Sequence, residues 1–221
     1  MWWLFAVSAL VLAGPTFEEI CADENSTHRC NAAIEEVQLP KWSDRVSRDG
    51  GVLSIVLDNG NVARIMDDAR FHYRFRDCMA RYNKCVFAKG ANEYLRYIMI
   101  DTRTGNQNTY RDLPLYAPDG ARIVVSGASG LFQEGFLEVR NAETNDLEYG
   151  LTFHELRDLT LRIPDCHDEP SIFAPGVERA DWIDSGTIHL ELTCRDEGMK
   201  KFATPMVLKR ENRSWVLTEG Q

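Results

Sequence analysis

From Gly51 to the C-terminus, hydrophobic residues recur at every second position in short runs cut by turn-forming residues. Side chains of an extended chain point alternately to opposite faces, so this period prescribes half-buried strands rather than helices, whose period is about 3.6. Val52 to Leu57 and Val62 to Met66 flank Asp58-Asn59-Gly60. Asn-Gly tolerates the positive φ of a type I′ turn, which predicts a hairpin there. Tyr94 to Ile100 and Gln107 to Arg111 flank Thr102-Arg103-Thr104-Gly105, and Phe136 to Arg140 and Leu147 to Phe153 flank Asn141 to Asp146. Thr187 to Thr193, Phe202 to Lys209 and Trp215 to Thr218 form a last meander, with a turn over Arg210 to Arg213. Strands joined by short polar turns, without alternating helices, predict an all-β fold of antiparallel meander and hairpin sheets.

Ahead of this region, Cys30 to Gln38 places Ile34 and Val37 three apart, with Pro40 as a stop and Ser26 or Thr27 as a cap. A short N-terminal helix is expected. Trp2 to Ala13 is an uncharged apolar run of twelve residues, too short to span a bilayer, which takes about 20. Its length suits the core of a secretory signal peptide, with Val11 and Ala13 as small residues before the cut. No Lys or Arg precedes it, and a buried N-terminal helix is the other reading. The expected organisation is a signal over 1–13, an extension with the short helix over 14–50, and an all-β domain over 51–221. A secreted or periplasmic location follows, with no transmembrane segment after signal removal.

Six cysteines are an even number, which in an exported chain reads as a set of disulfides. Spacing suggests Cys21 with Cys30, Cys78 with Cys85 and Cys166 with Cys194, each bridge contributing about 2–3 kcal/mol. Without Cys-x-x-Cys, and with no cysteines and histidines interleaved at zinc-ligand spacing, the chain carries no zinc pattern, and no cofactor is expected.

Lys and Arg number 25 against 34 Asp and Glu, a net charge of −9. That balance repels phosphate backbones and disfavours nucleic acid and anionic membranes as partners. Within it, Arg64 to Lys89 holds seven Lys and Arg against three Asp. Phe71 to Arg76 alternates, placing Phe71, Tyr73 and Phe75 on one strand face and His72, Arg74 and Arg76 on the other. His72, Arg74 and Arg76, with Tyr73 and Arg81, are the candidate ligand-binding residues, an anion-binding strip suited to an acidic carbohydrate or an anionic patch on a partner protein. The alternative is a solvated face whose arginines pair with the surplus carboxylates.

Other polar clusters are incomplete as chemistry. Asp165, His167 and Asp168 lie between Pro164 and Pro170 without the alternating oxygen ligands of a calcium loop. They read as a rigid surface loop, or, with His154, as the site of a secreted hydrolase. His154-Glu155 opens like a zincin helix, but Asp158 stands where the second imidazole belongs. Gly127-Ala128-Ser129-Gly130 is not a nucleophile elbow. His189 and Glu191 share the polar face of a strand, where cross-strand pairing is expected, and Trp42, Trp182 and Trp215 read as core or rim residues. No catalytic residue and no metal ligand is assigned. Asn25 and Asn212 open two glycosylation sequons, used only in a eukaryotic secretory pathway.

Ala117-Pro118-Asp119-Gly120-Ala121-Arg122-Ile123-Val124-Val125-Ser126 precedes Phe136 to Asn141, and Trp182 to Leu190 repeats the turn-then-strand layout. These segments resemble the β-propeller repeats of periplasmic TolB-like proteins and of uncharacterised secreted bacterial proteins with degenerate blades. The resemblance implies a binding scaffold and supplies no catalytic residue. The copies lie farther apart than a blade length of about 40–50 residues, and a closed ring takes at least about four blades. An open or incomplete propeller-like arrangement, or a sandwich, is therefore expected. The chain reads as an exported, disulfide-stabilised binding protein, with a secreted hydrolase and an inhibitor of an extracellular enzyme as alternatives.

Overall fold

A computed structural model describes residues 16–22, 26–91, 94–127, 135–160, 176–195 and 201–220. The apolar run over 2–13 lies outside them. Thr16 and Glu19 form a capping box that starts α1 (Phe17–Cys21). Ser26 accepts the Arg29 N–H and starts α2 (Thr27–Gln38) one turn ahead of Cys30. Pro40 then ends the α-helical hydrogen bonding in a 3-10 turn over Leu39–Trp42.

Among the described residues fifteen strands follow in four antiparallel sheets, each built from strands consecutive in sequence. The first holds β1 (Val46–Asp49), β2 (Val52–Val56) and β3 (Val62–Met66). The second holds β4 (His72–Met79), β5 (Lys84–Ala91), β6 (Tyr94–Asp101) and β7 (Gln107–Tyr110). β8 (Leu115–Tyr116), β9 (Arg122–Gly127), β10 (Phe136–Asn141) and β11 (Leu147–Leu151) make the third. After α3 (Phe153–Thr160), the fourth comprises β12 (Gly176–Asp184), β13 (Thr187–Arg195), β14 (Lys201–Glu211) and β15 (Ser214–Glu219). The fold is all-β, as the two-residue period requires, and the first strand starts ahead of Gly51.

The sheets pack face to face in series. Leu53, Ile55 and Ile65 of the first meet Phe75, Phe87 and Ile100 of the second. Val86, Ala88, Tyr97 and Met99, on the opposite face of the second sheet, meet Ile123, Val125 and Phe136 of the third. Val124, Leu137 and Val139 turn the other way to meet Ile188, Leu190 and Leu208 of the fourth, with Leu156 of α3. Strict alternation along β5, β6 and β9 thus serves two cores, which is why these strands read as unbroken apolar runs.

Two local expectations are corrected. At Asp58-Asn59-Gly60 only Gly60 has positive φ, 80°. Gly60 N–H bonds to the Leu57 carbonyl and Leu57 N–H to the Asn61 carbonyl. This is a three-residue loop ending in a left-handed glycine, not a type I′ turn. The type I′ turn lies instead at Asn212 (φ 48°) and Arg213 (φ 74°) between β14 and β15. The strand expected to run to Phe153 stops at Leu151, because Thr152 and Glu155 hydrogen-bond reciprocally and start α3.

Cys21–Cys30 joins α1 to α2, and Cys78–Cys85 staples β4 to β5. Cys194 is also disulfide-bonded, and its expected partner Cys166 lies outside the described residues. No helix among the described residues is long and apolar enough to cross a membrane.

Candidate functional site

β4 is the edge strand of the second sheet, and α2 lies along it. An edge strand leaves outward backbone groups without a partner strand, and Glu35 of α2 meets this need. Its Oε2 accepts the Phe75 N–H at 2.6 Å and an Arg48 Nη2 hydrogen bond at 3.0 Å. Its Oε1 stands 2.7 Å from Arg48 Nε and 3.5 Å from Arg74 Nη1. Arg48 further donates to the Tyr73 carbonyl. Asp67 accepts the Tyr73 N–H at 2.8 Å and lies 3.7 Å from His72 Nδ1.

Where α2 begins, it stands off from the sheet and leaves a cleft of about 410 Å³. Ser26, Thr27, His28 and Asn31 form its helical wall, and His72 and Arg74 of β4 its opposite edge. Ala88, Gly90 and Ala91 of β5, with Leu95 of β6, make the floor. The cavity follows from register: Gly90 pairs with His72 and Ala88 with Arg74, so minimal side chains lie beside long ones. The His28 and His72 rings meet across the cleft with centroids 5.4 Å apart. Arg74 keeps about a fifth of its side chain exposed (22%), and its buried Nε has no hydrogen-bond partner among the described residues.

The five sequence candidates separate into four environments. His72 and Arg74 share the cleft. Arg76 is on the same strand face but is buried, 8% exposed. It donates to Asn31 Oδ1 at 2.6 Å and lies over the Tyr97 ring. Burial lowers its guanidinium below the ordinary arginine value against the pull of Tyr97 and Asp112. Burial likewise raises the Asp112 carboxyl. A bulge between Phe75 and Asp77 sets Arg76 there. Tyr73 faces the opposite core, and Arg81 sits in the turn after β4, donating to the Pro118 carbonyl. His28 and Asn31 join the site from α2, and no strand-face pattern points to them, because their proximity to β4 is tertiary.

Elsewhere in the basic stretch, Lys84 and Lys89 are engaged within the fold. Lys84 Nζ lies 2.5 Å from Asp101 Oδ2, which Arg103 also holds, and Lys89 sits over the Phe71 ring at 4.2 Å. His189 stands opposite Asp181, and Glu191 opposite Arg179, in the β12–β13 register. Trp42 donates to Asp77, Trp182 to the Leu115 carbonyl, and Trp215 is buried. Asp165, His167, Asp168 and Ser129 lie outside the described residues, while His154 is exposed on α3. No group of three or more His, Cys, Asp or Glu with metal-binding geometry occurs among the described residues. No protein-family model matches the chain, and no curated protein matches it.

Proposed function

We propose that the chain is an exported β-sheet scaffold that binds an anionic ligand in the cleft between α2 and β4. The carrying observation is the lining itself: among the described residues its ionisable groups are Arg74, His28 and His72, with no carboxylate. Behind this surface Glu35 Oε1 lies 3.5 Å from Arg74 Nη1 and Asp67 Oδ2 3.7 Å from His72 Nδ1, so the donors are pre-positioned at small entropic cost. Disulfides persist in oxidising compartments, which supports export. On this reading the four meanders are degenerate blades of a TolB-like scaffold, and a site between scaffold and appended helix needs no catalytic set.

The test is Arg74→Gln, measured by calorimetric titration of acidic glycans into the chain. A hydrogen bond to a charged group is worth about 1.5–3 kcal/mol, so binding weakens at least about tenfold. Unchanged affinity for every acidic glycan that binds the parent chain rejects the assignment. Arg76 is unsuitable for this test because its buried pairing with Asn31 would confound binding with folding.

A further inference from the structure

Resting on that reading, we infer that the cleft takes one terminal sugar acid end-on, a uronate of one or two rings, rather than a polyanion laid along the strand. Size is the first argument. Small-molecule sites range over about 300–1,000 Å³, and this cleft lies near the lower bound at about 410 Å³. The cationic strip expected along β4 does not form among the described residues, since Arg76 is buried and Arg81 lies in the turn beyond the far end of β4.

Charge is the second argument. Among the described residues a single guanidinium, that of Arg74, reaches the cleft, and Glu35 stands 3.5 Å behind it. That balance suits a monoanion better than a phosphate dianion. The planar fork of arginine matches a carboxylate with two parallel hydrogen bonds, and the Arg74 side chain keeps 22% of its surface exposed to offer them.

The remaining lining divides as a sugar ring does. Ser26 and Thr27 bring hydroxyl groups on the helical side, while Ala88, Gly90 and Leu95 present an apolar floor. His28 and His72, tilted at 57° to each other, offer ring faces for the C–H side of a pyranose. The Asn31 amide is already engaged, donating to the Thr27 carbonyl and accepting from Arg76, so it shapes the wall instead of binding.

The probes are galacturonate, digalacturonate, polygalacturonate and inorganic phosphate, titrated into the parent chain, Arg74→Gln and Gly90→Leu. Gly90 lines the cleft and is not among the glycines with positive φ, so a leucine there projects into the cleft and leaves every charge in place. Digalacturonate is expected to bind as tightly per chain end as the polymer. Both substitutions should weaken it at least about tenfold, with unfolding midpoints near the parent's. The imidazole proton resonances of His28 and His72 in the parent chain should shift on saturation, a readout that needs no variant. Affinity that grows with polymer length, lost in Arg74→Gln but kept in Gly90→Leu, overturns the end-on inference while sparing the anionic site. Phosphate binding tighter than digalacturonate overturns the sugar assignment. Binding of the uronates unaffected by either substitution overturns both.

Discussion

Glu35 of α2 ties β1 and β4 together from a buried position. It serves a buried backbone N–H of an edge strand and two guanidiniums at once. Removing one partner of a buried ion pair leaves the others uncompensated, at about 3–5 kcal/mol. Glu35→Ala should therefore lower the unfolding free energy by about that amount in urea titration; a loss below about 1 kcal/mol would show that water replaces the carboxylate. Asp101 makes a different claim, about pH. Burial works to raise its carboxyl, but hydrogen bonds from Arg103 and Lys84 outweigh burial and hold it well below the ordinary carboxylate range. A carboxyl depressed in the folded state stabilises fully above its unfolded value, about 3.9, and that stability is lost as pH falls through the folded value. Asp101→Asn should lack this component, so its urea midpoint should fall less steeply than the parent's below about pH 4; parallel profiles refute the coupling. Alternation along Phe71 to Arg76 was legible at this scale. Which of its cations meet solvent was not, because a bulge and a neighbouring helix settle it.

At the scale of elements, the turns carry the clearest writing. Asp101 to Gly105 and Asn141 to Asn145 close alike, the fifth N–H bonding to the first carbonyl at 2.7 and 3.0 Å. In both, the first side chain accepts the N–H two residues on, and the last residue has positive φ. Their starts lie 141 − 101 = 40 residues apart, within the usual length of a propeller repeat of about 40–50. The equivalence is spelled Asp-x-x-Thr-Gly in one and Asn-x-x-Thr-Asn in the other. It is easily overlooked because Asp and Asn, like Gly and Asn, fill the same backbone need with different letters. The Thr152 and Glu155 capping box was likewise present in the sequence, hidden under an apparent strand. The β14–β15 turn holds Arg213 at φ 74° where glycine is preferred. Left-handed backbone costs a residue with a Cβ about 1–2 kcal/mol, partly offset by glycine's greater freedom in the unfolded chain. Arg213→Gly should therefore raise stability by about 0.5–1 kcal/mol, seen as a higher melting temperature; a decrease refutes the type I′ assignment.

Across the whole molecule, the second and third sheets are covered on both faces and the first and fourth are the ends of the stack. Val56, Val62 and Met66 of the first sheet are exposed, Met66 by 65%. Amides open most rarely where burial is deepest, so hydrogen exchange should be slowest in β5, β6, β9 and β10, and faster in β3 and β15. Equal protection across all four sheets would mean that the stack unfolds as one cooperative unit. Strand content, most turn positions, the short helix and two local disulfides were written in the chain itself. Each depends on residues a few positions apart, whose spacing and φ preferences act before any distant contact forms. The serial packing of four sheets, the burial of Arg76 and the cleft between α2 and β4 were decided only by tertiary structure. They join residues some forty positions apart, as Asn31 and Arg76 are, and a pairing over that distance is set by which surfaces fit once the sheets have formed.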